Sequence, residues 1–431
     1  MTIFDIAKKI VSHDLSPVEL IANLLTRIEQ KNPTLNAFVT LTAERAVEEA
    51  KIAETEIMKG NYKGPLHGIP IVHKDLYHTQ GIRTTASSKV LEHFVPTEDA
   101  TVVRKLKDAG TILLGKVQTH EFAAGGFTDS KHFGPCLNPW DMNRIPGGSS
   151  GGSAASVAAG LTFMATGTDT AGSIRNPAAC CGIVGIKPTY GRVSRKGIIP
   201  LSWSLDHSGP MTRSVKDAAL TLQVMAGYDS EDATSASVLI PVYNDMLRSD
   251  LKGIKIGIPT NYFLEGLNPE VKVAVSKAID RLCELGAEIV EVSLQSMSYA
   301  MDTVLTIALS EMASIHSARF ANQRSDFGED VQKQIELGQA IPAALYLQAH
   351  RVRNLIQGDF MNAFSSVDAI VTPTMPIFAP LRNKVSSDSD LIRFTLPANL
   401  ANLPALSLPC GFSAEGMPIG LQFIGKPFAE G

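Results

Sequence analysis

The sequence is poor in the groups that would point to metal, redox or nucleic-acid chemistry. Its five cysteines, Cys136, Cys180, Cys181, Cys283 and Cys410, are odd in number and form no CxxC pair, so neither a zinc ribbon nor a disulfide framework is encoded. Reduced thiols in a cytoplasm are the expectation, with no metal and no cofactor. Only 19% of residues are charged, the formal net charge is -4, and the longest basic runs are pairs such as Lys8-Lys9. No field of the kind that recruits nucleic acid follows from that. No apolar run reaches transmembrane length, and the opening "MTIFDIAKKIVSHDLSPVEL", with Asp5 inside it, lacks the apolar stretch of a secretory signal.

What is present is a chain of 431 residues, 44% hydrophobic, long enough to bury a substantial core. Ser16, Pro17 and Glu19 form a capping box that starts the first expected helix, with Leu20, Ile21, Leu24, Leu25 and Ile28 on one face. Further helices are expected over 43–58, 98–109, from Ser214, and over 269–286, 300–322 and 343–363. Between them lie strand-like runs such as "GIPIVHKDL", "TILLGKV", "TFMATG", "GIKIGIP", "AIVTPTMP" and "GLQFIG". The alternation predicts an α/β sheet in a single domain over 1–431, with a polar surface connection at 228–250.

Two segments stand out: "IPGGSSGGSAASVAAG" at 145–160 and "GTDTAGSIRNPAACCG" at 167–182. The first is not read as a phosphate cradle, because no Lys or Arg sits within its "GGSSGGS" cluster. "GTILLGKV" at 110–117 departs from a P-loop, since Val117 stands where a magnesium-binding hydroxyl belongs. A histidine-based hydrolase fits poorly too: "GSSGG" does not match the nucleophile elbow, and His73 and His120 read as core residues. A serine can instead be activated by a lysine whose burial disfavours the ammonium, and Lys74, delivered by the apolar run "GIPIVH", meets that need. The competing reading is a strand-end ion pair with Asp75. In "GTDTAGSIR" the small residues Thr170, Ala171 and Gly172 let consecutive amides point into one space beside Ser173, an oxyanion hole in outline.

Together, Lys74 in "HGIPIVHKDL", the run "GGSSGGSAASVAAG" and "GTDTAGSIRNPA" resemble the amidase signature family of serine hydrolases, in motif and in spacing. The likeness extends through "GIVGIKPTYGRVSRKGIIPLSWSLDHSGPMTRSVKDAA" to the last strands. It implies a large mixed β-sheet flanked by helices on both faces, a signature core over about 60–215 and a helical specificity region over about 290–365. It also implies a Ser-Ser-Lys triad of Lys74, Ser149 and Ser173, with a cis peptide before Ser149 and an oxyanion hole from the amides of Thr170, Ala171, Gly172 and Ser173. Ser150, Asp169 and Arg175 would brace this loop. Phe122, Phe127, Tyr346 and the surroundings of Cys180 would line the substrate pocket.

The family includes the glutaminase subunit of tRNA-dependent amidotransferases, to which "FGEDVQKQIELG" and "HRVRNLI" are similar. Three departures favour a free-standing amidase acting on a small neutral carboxamide. "AIPAALYLQAH" keeps only Tyr346 of a tyrosine-rich stretch; "QTHEFA" replaces "NMDEFA"; and Leu391, Ile392 and Arg393 stand where an acid for a substrate ammonium is expected, with Asp390 out of register. Ala171 replaces a common glycine, and "GKPFAEG" ends where relatives continue with a helix. A homodimer is compatible with the resemblance; tRNA and a partner subunit belong to the amidotransferase alternative.

Overall fold

Strands form where β-branched and aliphatic residues run together and both faces are covered. In the computed structural model, which describes residues 2–385 and 387–431, they are β1 (Phe38–Leu41), β2 (Pro70–Lys74), β3 (Ile112–Val117), β4 (Asp129–Ser130), β5 (Gly134–Pro135), β6 (Met164–Asp169), β7 (Val184–Lys187), β8 (His207–Thr212), β9 (Lys255–Pro259), β10 (Glu288–Val292), β11 (Ala369–Pro373), β12 (Ala405–Phe412) and β13 (Pro418–Gly425). Among the described residues, eleven form one mixed sheet of order β1-β3-β2-β6-β8-β7-β12-β13-β11-β9-β10, and β4 pairs with β5 alone. β2 runs parallel to β3 and β6, while β6 pairs antiparallel with β8. Every residue of β2, β3, β6 and β8 is buried, as strands covered by helices on both faces must be. The expected α/β class with a large mixed sheet is what the chain adopts.

Several elements differ from expectation. A helix at Ile3–Val11 precedes the one anticipated as first, and it carries its own capping box between Thr2 and Asp5. The next helix, Pro17–Leu35, is capped by Ser16, which accepts from the amides of Val18 and Glu19. Glu19 returns no bond; Ser16 Oγ donates instead to Glu54. Strand β8, "HSGPMT", was hidden by Gly209 and Pro210, which read as a turn although they pair with Gly167 and Thr166 at the sheet centre. The segment "FGEDVQKQIELG" holds a helix, Glu329–Ala340. In the connection at 228–250, Leu239 is 92% exposed and Tyr243 is buried.

One buried side chain sets an acid limit on stability. His316, on helix Ala300–Gln323, lies between Phe122 and Phe327 at ring separations of 4.3 and 5.9 Å, and neither of its nitrogens has a hydrogen-bond partner among the described residues. Burial pushes its pKa down to about 4 from 6.5. The native protein thus resists a proton that the unfolded chain accepts, so this stability is whole above pH 6.5 and is lost as pH falls towards 4, about 3 kcal/mol in all. We predict that His316→Phe flattens the fall of the urea midpoint across that window; an unchanged slope would assign the acid limb to other groups.

Candidate active site

Lys74 closes β2 and is completely buried. Its Nζ lies 2.7 Å from Ser149 Oγ, 2.8 Å from Ser150 Oγ and 2.8 Å from Thr168 Oγ1. Ser150 Oγ donates to the carbonyl of Thr168 at 3.2 Å, so it can only accept from Lys74. A neutral amine has two protons and one lone pair; donation to Ser150 and Thr168 leaves the lone pair for the proton of Ser149. Burial pushes the pKa of Lys74 well below its ordinary 10.5, against a weaker opposing pull from Asp169 and Asp206. The ion pair with Asp75 is not formed, because Asp75 faces Lys116 of β3 at 3.5 Å.

The serine-rich loop is positioned from outside. The Gly148-Ser149 peptide is cis. His120 N–H donates to the Ser149 carbonyl at 3.0 Å, and Thr128 Oγ1 donates to the Gly147 carbonyl at 2.9 Å while accepting from Gly151 N–H. Glycine is needed for room more than for freedom. Gly147 has a positive φ of 77°, but a Cβ on Gly148 would sit 2.5 Å from Phe127 N, and one on Gly152 2.5 Å from Gln118 N.

Strand β6 runs directly into the second loop. Thr170 Oγ1 donates to Asp206 at 2.6 Å, and Thr395 Oγ1 donates to the Ala171 carbonyl at 2.6 Å. Gly172 has φ +142°, with Thr395 Oγ1 only 2.1 Å from where a Cβ would stand. The amides of Ala171, Gly172 and Ser173 donate to no group among the described residues, leaving them for a ligand oxygen. Ser173, 8% exposed, is tied to the first loop by its carbonyl, which accepts from Ser150 N–H at 3.2 Å. Its Oγ makes no hydrogen bond to Ser149 Oγ here, a contact that a bound substrate commonly tightens.

Asp169 and Arg175, both fully buried, form a two-pronged pair: Nε to Oδ2 at 3.0 Å and Nη2 to Oδ1 at 2.9 Å. Arg175 reaches on to the Thr395 carbonyl, Gln422 and Asn399, and it holds the Asp169 carboxyl well below the usual carboxylate range.

The anticipated pocket residues divide. Phe122 has a left-handed backbone, φ +49°, and its ring packs in the core against His316 and Phe327. Cys180 is also sealed in, its thiol 3.5 Å from Asn176 Oδ1. Phe127 is half-buried, edge-on to His120, and packs in the same cluster as Ile392. Tyr346 donates to the buried Glu311 at 2.8 Å and shares a cluster with Ala171 and Ile392. Sequence reasoning missed Thr168, Asp206 and Glu311. It also missed Asp388, whose carboxylate lies beside Gly126 with no hydrogen-bond partner for Oδ1 among the described residues.

Comparison with known proteins gives a consistent result. Residues 19–431 match the family model described as Amidase. The chain is 45% identical to the A-subunit of glutamyl-tRNA(Gln) amidotransferase from Geobacter metallireducens, over 100% of this chain and 94% of that protein. Among solved structures it is similar to the A-subunit of glutamyl-tRNA(Gln) amidotransferase from Thermotoga maritima, with TM-score 0.85, 36% identity and coverage of 100% and 92%. It is likewise similar to a structure described as an amidase, with TM-score 0.90, 33% identity and coverage of 100% and 96%.

The Asp169–Arg175 pair generates a prediction. Asp169→Ala strands a buried guanidinium and should lower the unfolding free energy by about 3–5 kcal/mol in urea titration; a loss under about 1 kcal/mol would show that Asn399 and Gln422 suffice to hold Arg175.

Proposed function

The chain belongs to the Amidase family and is an amide-hydrolysing enzyme, and we propose that it cleaves a carboxamide through Lys74, Ser149 and Ser173 as the glutaminase subunit of a tRNA-dependent amidotransferase. The observation that carries the chemistry is the buried Lys74 amine, 2.7 Å from Ser149 Oγ and touched by no carboxylate. Neutral Lys74 takes the proton of Ser149, which takes that of Ser173, and Ser173 Oγ adds to the carbonyl carbon. The amides of residues 170–173 stabilise the oxyanion. The relay then returns its proton to the leaving nitrogen, ammonia departs, and water cleaves the acyl ester to release the carboxylate and free Ser173.

Identity of 45% across the whole chain to a glutamyl-tRNA(Gln) amidotransferase A-subunit supports the amidotransferase over the free-standing enzyme favoured by sequence departures alone. The main objection, an apolar wall where a substrate ammonium needs a carboxylate, also weakens. Leu391 and Ile392 are apolar, but Asp388 one helical turn earlier carries a carboxylate oxygen that has no partner among the described residues, next to Gly126 and beside Phe127. The free-standing reading keeps one specific support, the contact of Ile392 with the cluster that includes Ala171 of the oxyanion loop. On either reading the protein works in the cytoplasm on a small amide; a partner subunit belongs to the first.

Ammonia release by the purified chain, alone and with candidate partner subunits and charged tRNA, separates the two. The panel holds glutamine, asparagine, aliphatic and aromatic amides. The expected pattern is turnover of glutamine that rises with partner and tRNA; self-sufficient turnover of simple amides with glutamine ignored would restore the free-standing enzyme. Ser173→Ala should abolish release with the fold intact, and Lys74→Ala should lower kcat by at least about 10³-fold. Because burial holds the Lys74 pKa well below its ordinary 10.5, kcat should reach its plateau well below that pH and fall on the acid side as Lys74 gains a proton. An alkaline limb near 10.5 instead would mark Lys74 as an ordinary ammonium.

A further inference from the structure

The turn that follows Lys74 makes, with strand β3, a second buried ionisable pair that the proposed chemistry does not use. Lys116 and Asp75 are both fully buried, with Lys116 Nζ 3.5 Å from Asp75 Oδ1. Lys116 also donates to the Tyr77 carbonyl and to Thr84 Oγ1, each at 2.6 Å, which fixes its ammonium against the turn. The other carboxylate oxygen, Asp75 Oδ2, accepts from Thr85 N–H at 2.8 Å and from Thr85 Oγ1 at 2.5 Å. The Asp75 carbonyl accepts from Ala86 N–H at 2.9 Å. Three bonds from one residue thus fasten Thr85 and Ala86, and the next two backbone sites, Ala86 and Ser87, are left-handed at φ +54° and +51° without being glycine. Such a conformation persists only where its surroundings over-determine it.

What that fastened turn holds is the backbone leading to the serine loop. The Ala86 carbonyl accepts from Phe122 N–H at 3.0 Å, and Ser87 Oγ accepts from Thr119 N–H at 3.0 Å. Between them lies His120, whose own N–H donates to the Ser149 carbonyl at 3.0 Å. The path is continuous and buried throughout: Asp75, Thr85 to Ser87, Thr119 to Phe122, Ser149. Asp75 follows Lys74 directly in the chain, so one residue ties the turn after the base to the peptide of the relay serine.

We infer that Asp75, oriented by Lys116, is a positioning residue that sets Ser149 against Lys74 through the 85–87 turn and the His120 amide. It touches neither substrate nor reacting atoms; it acts on the Lys74-to-Ser149 separation, to which proton transfer is steeply sensitive. The inference rests on the proposed Lys74, Ser149 and Ser173 roles.

The test is steady-state kinetics on the amide that wild type turns over, normalised to sites titrated with phenylmethylsulfonyl fluoride, with Ser173→Ala as the blank. Asp75→Asn should lower kcat per titrated site by about 10²-fold with KM within about twofold. Because Asp75→Asn leaves Lys116 without its counter-ion and can fail to fold, Thr85→Val and Ser87→Ala, which keep the pair, carry the test independently. Each should lower kcat per site by about tenfold, and Thr85→Ser, which keeps the hydroxyl, should recover most of the loss. A merely structural role would lower the melting temperature and the number of titrated sites while leaving kcat per site untouched, and that outcome in Thr85→Val and Ser87→Ala would overturn the inference. Full turnover by Ser173→Ala would instead overturn the assignment of the nucleophile.

Discussion

Desolvation of one amine is the constraint on which the site depends. Moving an ammonium from water into a protein interior costs several kcal/mol unless a carboxylate compensates it, and Lys74 has hydroxyls about it where a carboxylate would stand. The neighbouring strand supplies the contrast. Lys116, equally buried, faces Asp75, and its pKa is pushed down to about 8; burial pushes the Lys74 pKa well below its ordinary 10.5 with no ion pair beside it among the described residues. Two lysines on adjacent strands thus differ in surroundings: one is held as half of an ion pair, while the other, the proposed base, has hydroxyls about its amine. Were Asp75 turned towards Lys74, the serine loop would face a fixed cation.

The second requirement is a frame stiff enough to keep two loops in register. Arg175 and Asp169 provide it by drawing together the end of β6, the helix Arg175–Cys181 and the segment from Thr395 to Asn399. Asn399 adds bonds to the Asp169 carbonyl at 3.0 Å and to its carboxylate at 2.9 Å. Residues more than two hundred positions apart therefore fix the amides beside Ser173. Thr395 completes the arrangement by occupying the space that a side chain at Gly172 would need.

Much of this was legible in the sequence where the signal was local. The strand that delivers Lys74, the helix capped by Ser214 and the small residues around Ser173 follow from periodicity, capping and steric need. What was missed depends on direction or on pairing at a distance. Phe122 has a left-handed φ, unreadable from composition, and its ring packs in the core. Asp206 lies in an unremarkable "SLDHSG" and reaches Thr170 only because β8 pairs with β6, a strand whose Gly-Pro centre reads as a turn. Asp388 was overlooked because linear register against a motif says nothing of where a helical turn places a carboxylate.

The central claim is that Lys74 is a neutral amine in the resting protein, and NMR of the chain labelled with 13C at the lysine ε-carbon tests it most directly. The Lys74 resonance, assigned by its loss in Lys74→Met, should lose the ammonium signature at a pH well below 10.5. A Lys74 signal that stays that of an ammonium up to its ordinary pKa would contradict the account, and Ser149 and Ser173 would need another base.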